Sequence, residues 1–152
     1  MKSLNFKPVA AFVAKASSGQ SWTQALGPIA EGTLSDAFWT PGTGKANSAA
    51  VNTALGKTFP NNLGDLNIAV LGYTVAAIVT DGIKTAGSTD PSKINDAIGK
   101  TNADYPLGKI AFGPTHSSAT PYLITQWQNG NTVQVVPADP AVKVEIPAKG
   151  LQ

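Results

Sequence analysis

With 152 residues, the chain falls in the size range of a single domain and can bury roughly two thirds of the surface that its unfolded form exposes. Its eleven basic residues are all lysine, are spread along the sequence and leave a net charge of only +2. This pattern argues against nucleic acid as a partner, because arginine dominates base and phosphate recognition. The absence of cysteine excludes disulfides, thiolate metal sites and a cysteine nucleophile.

The low share of charged residues bears on the surface of the protein. Only 13% of the residues are charged, against about a quarter in an average soluble domain, while 42% are hydrophobic. We therefore expect part of the apolar surface to stay uncovered in the isolated chain.

The first third of the chain has the pattern of a βαβ unit. Apolar residues predict strands at residues 8–13 and 32–39, and residues 20–29 between them predict a helix. The loop after the first strand contains Ser17 and Ser18, at the edge where open α/β sheets bind their ligands. A signal peptide at residues 1–18 is not favoured, because lysines and a proline interrupt its apolar run.

A long apolar helix is the strongest feature of the middle of the chain. It follows a turn cluster at residues 40–45 and a short predicted helix at residues 47–55. Apolar residues then recur with helical spacing over residues 66–84 and fill a second face, which predicts a helix buried on nearly all sides. Gly87 ends this helix, and Asp90 caps a second one. The longest apolar run, residues 68–80, is shorter than the roughly 20 residues of a membrane span.

The last third of the chain predicts strands. Residues 109–112 form one short apolar run. Residues 122–128 and 132–137 alternate apolar and polar side chains on the two sides of Asn129-Gly130, which is the strongest short hairpin pattern. The tail is rich in proline and has one further candidate edge strand, VKVEI at residues 142–146.

Patterns typical of catalysis or metal binding are weak. His116 is the single histidine and stands in a polar run without a second ligand for zinc nearby. A Ser-His-Asp triad is possible on residue inventory alone, but no G-x-S-x-G motif is present. The segment GTGKA at residues 42–46 lacks the P-loop spacing, and Ala46 replaces the hydroxyl that holds magnesium. We expect no metal, no cofactor and no enzymatic activity.

Four segments, in their order and spacing, resemble the carboxyl-terminal part of the periplasmic leucine/isoleucine/valine-binding proteins, the type I solute receptors of ABC importers. They read KSLNFKPVAAFVA, LGPIAEGTLSDAFWTP, LGYTVAAIVTDGIKTAGSTD and PLGKIAFGPTHSSATPYLITQWQNGNTVQVVPADPA. The resemblance implies an α/β chain with an incomplete type I periplasmic-binding-protein fold, made of the βαβ unit, the long buried helix and the carboxyl-terminal hairpin. Receptors of this family are much longer, so the chain resembles the last part of one.

The resemblance also implies a function. A receptor of this family binds an amino acid or a related small carboxylate between two lobes without transforming it, and then docks on a membrane permease. Its location is the periplasm or, for a lipid-anchored parent, the outer face of the cell. Neither a cofactor nor nucleic acid takes part.

The resemblance divides the chain into three segments. Residues 1–45 belong to the carboxyl-terminal lobe, residues 46–121 return to the side of the amino-terminal lobe, and residues 122–152 form the hairpin and tail. The strands that pair with residues 8–13 and 109–112 then come from the rest of the receptor. Unpaired strands and an uncovered helix predict a homo-oligomer, segment exchange or binding of the missing part. The alternative is a self-associating structural or interaction protein that has lost ligand binding.

Four residues are candidates for the ligand site. Glu31 occupies the position in A-E-G where the family commonly binds the ammonium of an amino acid, although a surface glutamate is the simpler interpretation. Tyr73 begins the long helix near the expected cleft, with core packing as the alternative. Ser18 lies in the loop after the first strand, and Trp39 ends the second strand. Because the ligand carboxylate is held by the rest of the receptor, we expect the isolated chain to bind amino acids weakly or not at all.

Overall fold

The computed structural model describes residues 4–40, 48–59, 66–120 and 122–152, so that most of the predicted turn cluster at residues 40–45 lies outside the described residues. The described residues are α/β, as predicted. The helices are α1 Ser21–Leu26, α2 Ser48–Thr58, α3 Leu66–Ala86 and α4 Pro91–Gly99, with 3-10 turns at Gly27–Ala30 and Lys149–Leu151. The strands are β1 Leu34–Ala37, β2 Asn102–Tyr105, β3 Gly108–Ala111, β4 Leu123–Gln128 and β5 Asn131–Val136.

A three-stranded antiparallel sheet, in the order β1-β4-β5, is the centre of what we name the sheet unit, residues 4–38 and 122–152. The predicted hairpin is confirmed: β4 and β5 pair with Gln128 opposite Asn131. Asn129 and Gly130 both have positive φ, +53° and +75°, as a type I′ turn requires. β1 pairs with β4 on its other edge, with Leu34 opposite Gln126.

The first predicted strand is reduced to a single parallel bridge. Phe12 pairs with Leu34, and the Val13 N–H donates to the Leu34 carbonyl at 2.9 Å. The Leu34 N–H in turn donates to the Ala11 carbonyl at 2.8 Å. A parallel strand is normally buried between two neighbours, whereas residues 8–13 have this bridge on one side only. The predicted βαβ unit is therefore present, but its two strands are joined by a single bridge.

Residues 48–59 and 66–118 form what we name the helix unit. Its elements are neighbours in sequence: α3 packs against α4, and β2 pairs with β3. Gly82 makes the helix contact possible, because a Cβ atom at this position would lie 2.5 Å from Cγ1 of Ile98. The predicted start of α4 is confirmed, since the Asp90 carboxylate accepts the N–H groups of Ser92 and Lys93.

A hydrophobic core joins the end of β1 to the helix unit. It consists of Trp39, Val51, Leu66, Val70 and Leu107. At the same place Oδ1 of Asn67, near the start of α3, accepts the N–H groups of Phe38 at 2.8 Å and Trp39 at 3.3 Å. Apart from this core, the extensive contacts join elements of the same unit: β1, β4 and β5 in the sheet unit, and α3 with α2 and α4 in the helix unit. The chain therefore passes from the sheet unit into the helix unit at Phe38 and Trp39.

Helix α3 forms as predicted but is covered on one side only. Leu66, Val70 and Thr74 are buried, whereas the opposite side exposes an apolar stripe in which Ile68 is 55% and Val75 57% accessible. The stripe consists of Ile68, Leu71, Val75, Val79 and Ile83. The helix is 21 residues long, which exceeds the predicted apolar run, and by length and composition it could span a membrane. This is weak evidence, because core helices of soluble proteins meet the same criterion.

The tail is held by side chains rather than by the edge strand predicted at residues 142–146. The Gln126 amide accepts the Glu145 N–H at 2.8 Å and donates to the Glu145 carbonyl at 2.9 Å. Gln128 donates to the Lys143 carbonyl at 2.8 Å. The Ala148 N–H then donates to the Val9 carbonyl, so that the tail lies beside the first segment of the chain.

Candidate functional site

The two parallel-paired segments of the sheet unit end side by side, and a short loop with defined contacts follows the first of them. Lys15 has a positive φ of +58°, and its N–H donates to Oδ1 of Asp36 at 2.7 Å. The Ser18 hydroxyl donates to the Lys15 carbonyl at 2.6 Å, and the buried Ser17 hydroxyl donates to the Val13 carbonyl. The loop at residues 14–18 is thus ordered by hydrogen bonds at the carboxyl edge of the sheet, where Ser18 was predicted to lie.

Asp36, Phe38 and Tyr122 form a cluster at the same edge that sequence reasoning missed. The rings of Phe38 and Tyr122 meet edge to face, with centroids 5.7 Å apart and planes at 86°. Desolvation raises the pKa of Tyr122 above its usual 10.0, and the negative charge of Asp36 and a hydrogen bond to it add to this rise. The carboxylate of Asp36 is half-buried and contacts both the loop and the tyrosine. The sequence signal that could have pointed to this cluster is Asp36 itself, a charged residue inside the apolar run LSDAFW at residues 34–39.

Glu31 lies at the other end of β1. Its two carboxylate oxygens accept the N–H groups of Asn129 and Gly130, each at 2.8 Å, in the β4–β5 turn. Glu31 follows the 3-10 turn and precedes β1, whereas Asp36 lies near the carboxyl end of β1, so the two carboxylates belong to opposite ends of this strand. The observed contacts of Glu31 are those of a residue that fixes the hairpin turn.

We expect Glu31→Ala to destabilise the sheet unit by about 1–3 kcal/mol, since two charge-assisted hydrogen bonds to backbone N–H groups are lost. Urea denaturation followed by circular dichroism measures this change. Glu31→Gln retains one acceptor oxygen and should lose clearly less. Equal stability of the alanine variant and the wild type would contradict the structural role of this carboxylate.

Trp39 lies in the hydrophobic core of the described residues. Its side chain is 1% accessible, and the indole N–H donates to the Ser48 hydroxyl at 3.0 Å. The ring packs in the core between β1 and the two helices α2 and α3, and a ligand contact of Trp39 stays a prediction. In the structure Trp39 is a core aromatic residue, which was the alternative interpretation.

Tyr73 is on the helix unit, where it is 48% accessible and lines a groove of about 410 Å³ between α3 and β2. In the same groove the Tyr105 hydroxyl donates to Oδ2 of Asp81 at 3.2 Å. Burial raises the pKa of Tyr105, and the hydrogen bond and negative charge of Asp81 raise it further. Tyr73 is therefore exposed rather than part of the core.

The structure does not gather the four predicted residues into one site. Ser18 lies at the carboxyl edge, Glu31 at the hairpin turn, Trp39 in the core and Tyr73 in the α3 groove. Their roles in ligand binding remain predictions. In the described part of the chain, no group of three or more His, Cys, Asp or Glu side chains could hold a metal ion.

Comparison with known proteins identifies the class of this fold. The family described as periplasmic binding protein matches residues 1–132. This chain belongs to that family, as the sequence resemblance predicted. Among curated protein sequences, none matches the chain significantly.

Solved structures of solute-binding proteins share the fold. The leucine-binding protein of Thermotoga maritima is 21% identical, with a TM-score of 0.76, over 88% of this chain and 38% of its own. A branched-chain amino acid transporter substrate-binding protein of Streptococcus pneumoniae, solved with isoleucine, is 16% identical with a TM-score of 0.68, over 82% of this chain and 37% of its own.

A third relative has a different ligand. A solute-binding protein of an ABC transporter from R. palustris, solved with benzoate, is 15% identical with a TM-score of 0.61, over 83% of this chain and 32% of its own. The chain thus spans less than two fifths of the length of each of these three structures. An incomplete type I periplasmic-binding-protein fold is the architecture of this chain.

Proposed function

We propose that this chain is the carboxyl-terminal part of the substrate-binding protein of an ABC importer and that it takes up an amino acid or a related small carboxylate together with the rest of the receptor. The observation that carries the proposal is the family match over residues 1–132, supported by the fold shared with the leucine-binding protein. The partner of the complete receptor is a membrane permease. Its location is the periplasm or the outer face of the cell, with a lipid-anchored parent in the second case.

The sheet unit and the helix unit are proposed to be parts of the two lobes. Of the three proposed segments, residues 1–45 and 122–152 include the sheet unit, which is residues 4–38 and 122–152, while residues 46–121 include the helix unit. The chain passes between the units beside Phe38 and Tyr122, whose rings are in contact. Such paired crossings suit a hinge about which two lobes close on a ligand. The receptor binds and releases its ligand without catalysis.

Tight binding requires both lobes. A micromolar site needs roughly 8 kcal/mol, whereas one exposed contact between a carboxylate and an ammonium contributes at most about 1 kcal/mol. The sheet unit has a carboxylate at each end of β1, Glu31 and Asp36, but it forms only part of a binding pocket. We therefore expect the isolated chain to bind amino acids with dissociation constants above about 1 mM, which corresponds to roughly 4 kcal/mol.

Titration calorimetry with leucine, isoleucine and benzoate tests the proposal. The chain is measured alone and after co-expression with the part of the T. maritima leucine-binding protein that it does not cover, or with an upstream segment from its own gene. We expect micromolar binding of at least one ligand by the assembled receptor only. Absence of binding in both assembled forms would overturn the receptor function. Micromolar binding by the isolated chain, lost in Glu31→Ala, would place a complete site within these 152 residues.

The second candidate function is a self-associating structural or interaction protein. The observation that favours it is the apolar stripe of α3, which the described residues leave uncovered. Two copies that pack their stripes together would bury this surface without the rest of the receptor. The mass in solution distinguishes the two functions, because a clean monomer that binds amino acids contradicts the second one.

A further inference from the structure

The turn between β4 and β5 contains a chemically reactive pair of residues. Asn129-Gly130 is the single Asn-Gly step in the sequence, and glycine has no Cβ atom that would shield its backbone nitrogen from the preceding carboxamide. Asn129 is exposed, and within the described ranges no hydrogen bond holds its side-chain amide. An asparagine in this setting can lose its side-chain amide in water without an enzyme.

The reaction joins two atoms of the turn. The backbone nitrogen of Gly130 attacks Cγ of Asn129, and the new bond closes a five-membered succinimide ring. The bond from Cγ to Nδ2 breaks, and ammonia leaves with the hydrogen that the Gly130 nitrogen gives up. Water then opens the ring at either carbonyl and leaves an aspartate or an isoaspartate at position 129. One water molecule is consumed and one ammonia is released, with no oxidation or reduction.

The Glu31 carboxylate holds both nitrogens of this turn. Oε2 accepts the Asn129 N–H and Oε1 accepts the Gly130 N–H, each at 2.8 Å. Hydrogen bonds to an ionised acceptor are roughly twice as strong as those between neutral groups. For the Gly130 nitrogen to reach Cγ, the peptide group between the two residues must rotate, which withdraws the Gly130 N–H from Glu31. The contact with Glu31 therefore opposes ring closure.

A carboxylate beside a reacting N–H could instead act as a general base and accelerate the reaction. A carboxylate is a far weaker base than the anion of a peptide amide, so that transfer of the proton to Glu31 is unfavourable. The negative charge of Glu31 also repels the negative charge that develops on the Gly130 nitrogen and on the carboxamide oxygen. Both effects favour protection over catalysis.

We propose that Asn129-Gly130 is a site of spontaneous deamidation and that Glu31 protects it by holding the two N–H groups of the turn. An isoaspartate would add one atom to the main chain of the two-residue turn, which then no longer sets Gln128 opposite Asn131. The new carboxylate would also repel that of Glu31. The site is independent of the proposed receptor function, since it needs neither a ligand nor the rest of the receptor.

Peptide mapping by mass spectrometry tests the proposal on the purified chain. Wild type, Glu31→Ala and Glu31→Gln are kept at mildly alkaline pH, and the replacement of NH2 by OH and the isoaspartate content at Asn129 are followed with time. We expect at least tenfold faster deamidation in Glu31→Ala than in wild type, equivalent to about 1.4 kcal/mol of lost protection. Glu31→Gln should be intermediate. Asn131, which precedes the β-branched Thr132, is the internal control and should stay intact.

Unfolding separates this protection from a general loss of stability. In concentrated urea all three chains should deamidate at Asn129 at the same rate, because the contact with Glu31 no longer exists. Under native conditions, hydrogen exchange of the Trp127 N–H, which donates to the Thr33 carbonyl at 3.0 Å, shows whether the sheet stays folded. If Glu31→Ala loses this protection, Glu31→Gln decides, with an expected acceleration of at least threefold.

Three results would overturn the proposal. Deamidation at the wild-type rate in the folded Glu31 variants would show that the carboxylate does not protect the turn. Slower deamidation in these variants would identify Glu31 as a general base. An Asn129 that stays intact in wild-type protein unfolded in urea would show that the step is not reactive.

Discussion

Replacing Trp127 with alanine is expected to destabilise the sheet unit by about 4–5 kcal/mol, a large part of the stability of a typical domain. The side chain is completely buried in β4, and its indole N–H donates to the Ser17 carbonyl at 2.7 Å. The substitution leaves a cavity and removes the partner of a buried carbonyl. Loss of the strand signal in circular dichroism during urea titration measures the effect.

Trp22→Ala is the matched control for this prediction. Trp22 is half-buried, and its indole N–H is buried without a hydrogen-bond partner in the described part of the chain. Removal of this unsatisfied donor offsets part of the lost packing, so the cost should stay below about 2 kcal/mol. Equal losses in the two variants would show that Trp127 does not hold the sheet unit together.

The second large effect is expected for Val75→Asp at the centre of the α3 stripe. Full burial of a valine, leucine or isoleucine side chain stabilises a protein by about 1.5–3 kcal/mol. The five stripe residues are only partly buried in the isolated chain and therefore lack much of this stabilisation. We therefore expect the wild type to sediment as a dimer or larger assembly at micromolar concentration. An aspartate buried in the contact costs several kcal/mol, which raises the dissociation constant at least 100-fold, or about 3 kcal/mol.

Because Val75 is 57% accessible, the same substitution should leave the helix unit folded. Val144→Asp, at an exposed valine of the tail, and His116→Ala, in an exposed loop, are the controls and should keep both the assembly and the melting temperature. Analytical ultracentrifugation that shows a stable wild-type monomer at micromolar concentration would count decisively against self-association.

Elements specified by neighbouring residues could be predicted from the sequence. The turn at Asn129-Gly130 and the Asp90 cap of α4 depend on contacts within a few residues, and both are confirmed. The first strand, at residues 8–13, depends on neighbours far along the chain and retains one bridge. Strand β2 was missed because its exposed residues Asn102–Asp104 show no apolar alternation.

The candidate site was only partly predictable for the same reason. The sequence places Ser18 in the loop after the first strand, because a loop follows its strand directly. It cannot show that the turn at residues 129–130 returns to Glu31, or that Tyr122 comes to lie beside Asp36, since 86 residues of chain separate the second pair. Both contacts arise when β4 pairs with β1.

The long separation between β1 and β4 has a consequence for biosynthesis. The helix unit consists of elements that follow one another in the chain, so it can fold on the ribosome as soon as residue 118 has emerged. Leu34, by contrast, meets its partner Gln126 only after 92 further residues have been made, which takes roughly 5–20 s at ordinary rates of translation. During this interval the nascent β1 has only its bridge to the apolar segment before it and lacks its antiparallel partner β4, so these two segments are the part of the chain on which a chaperone would act.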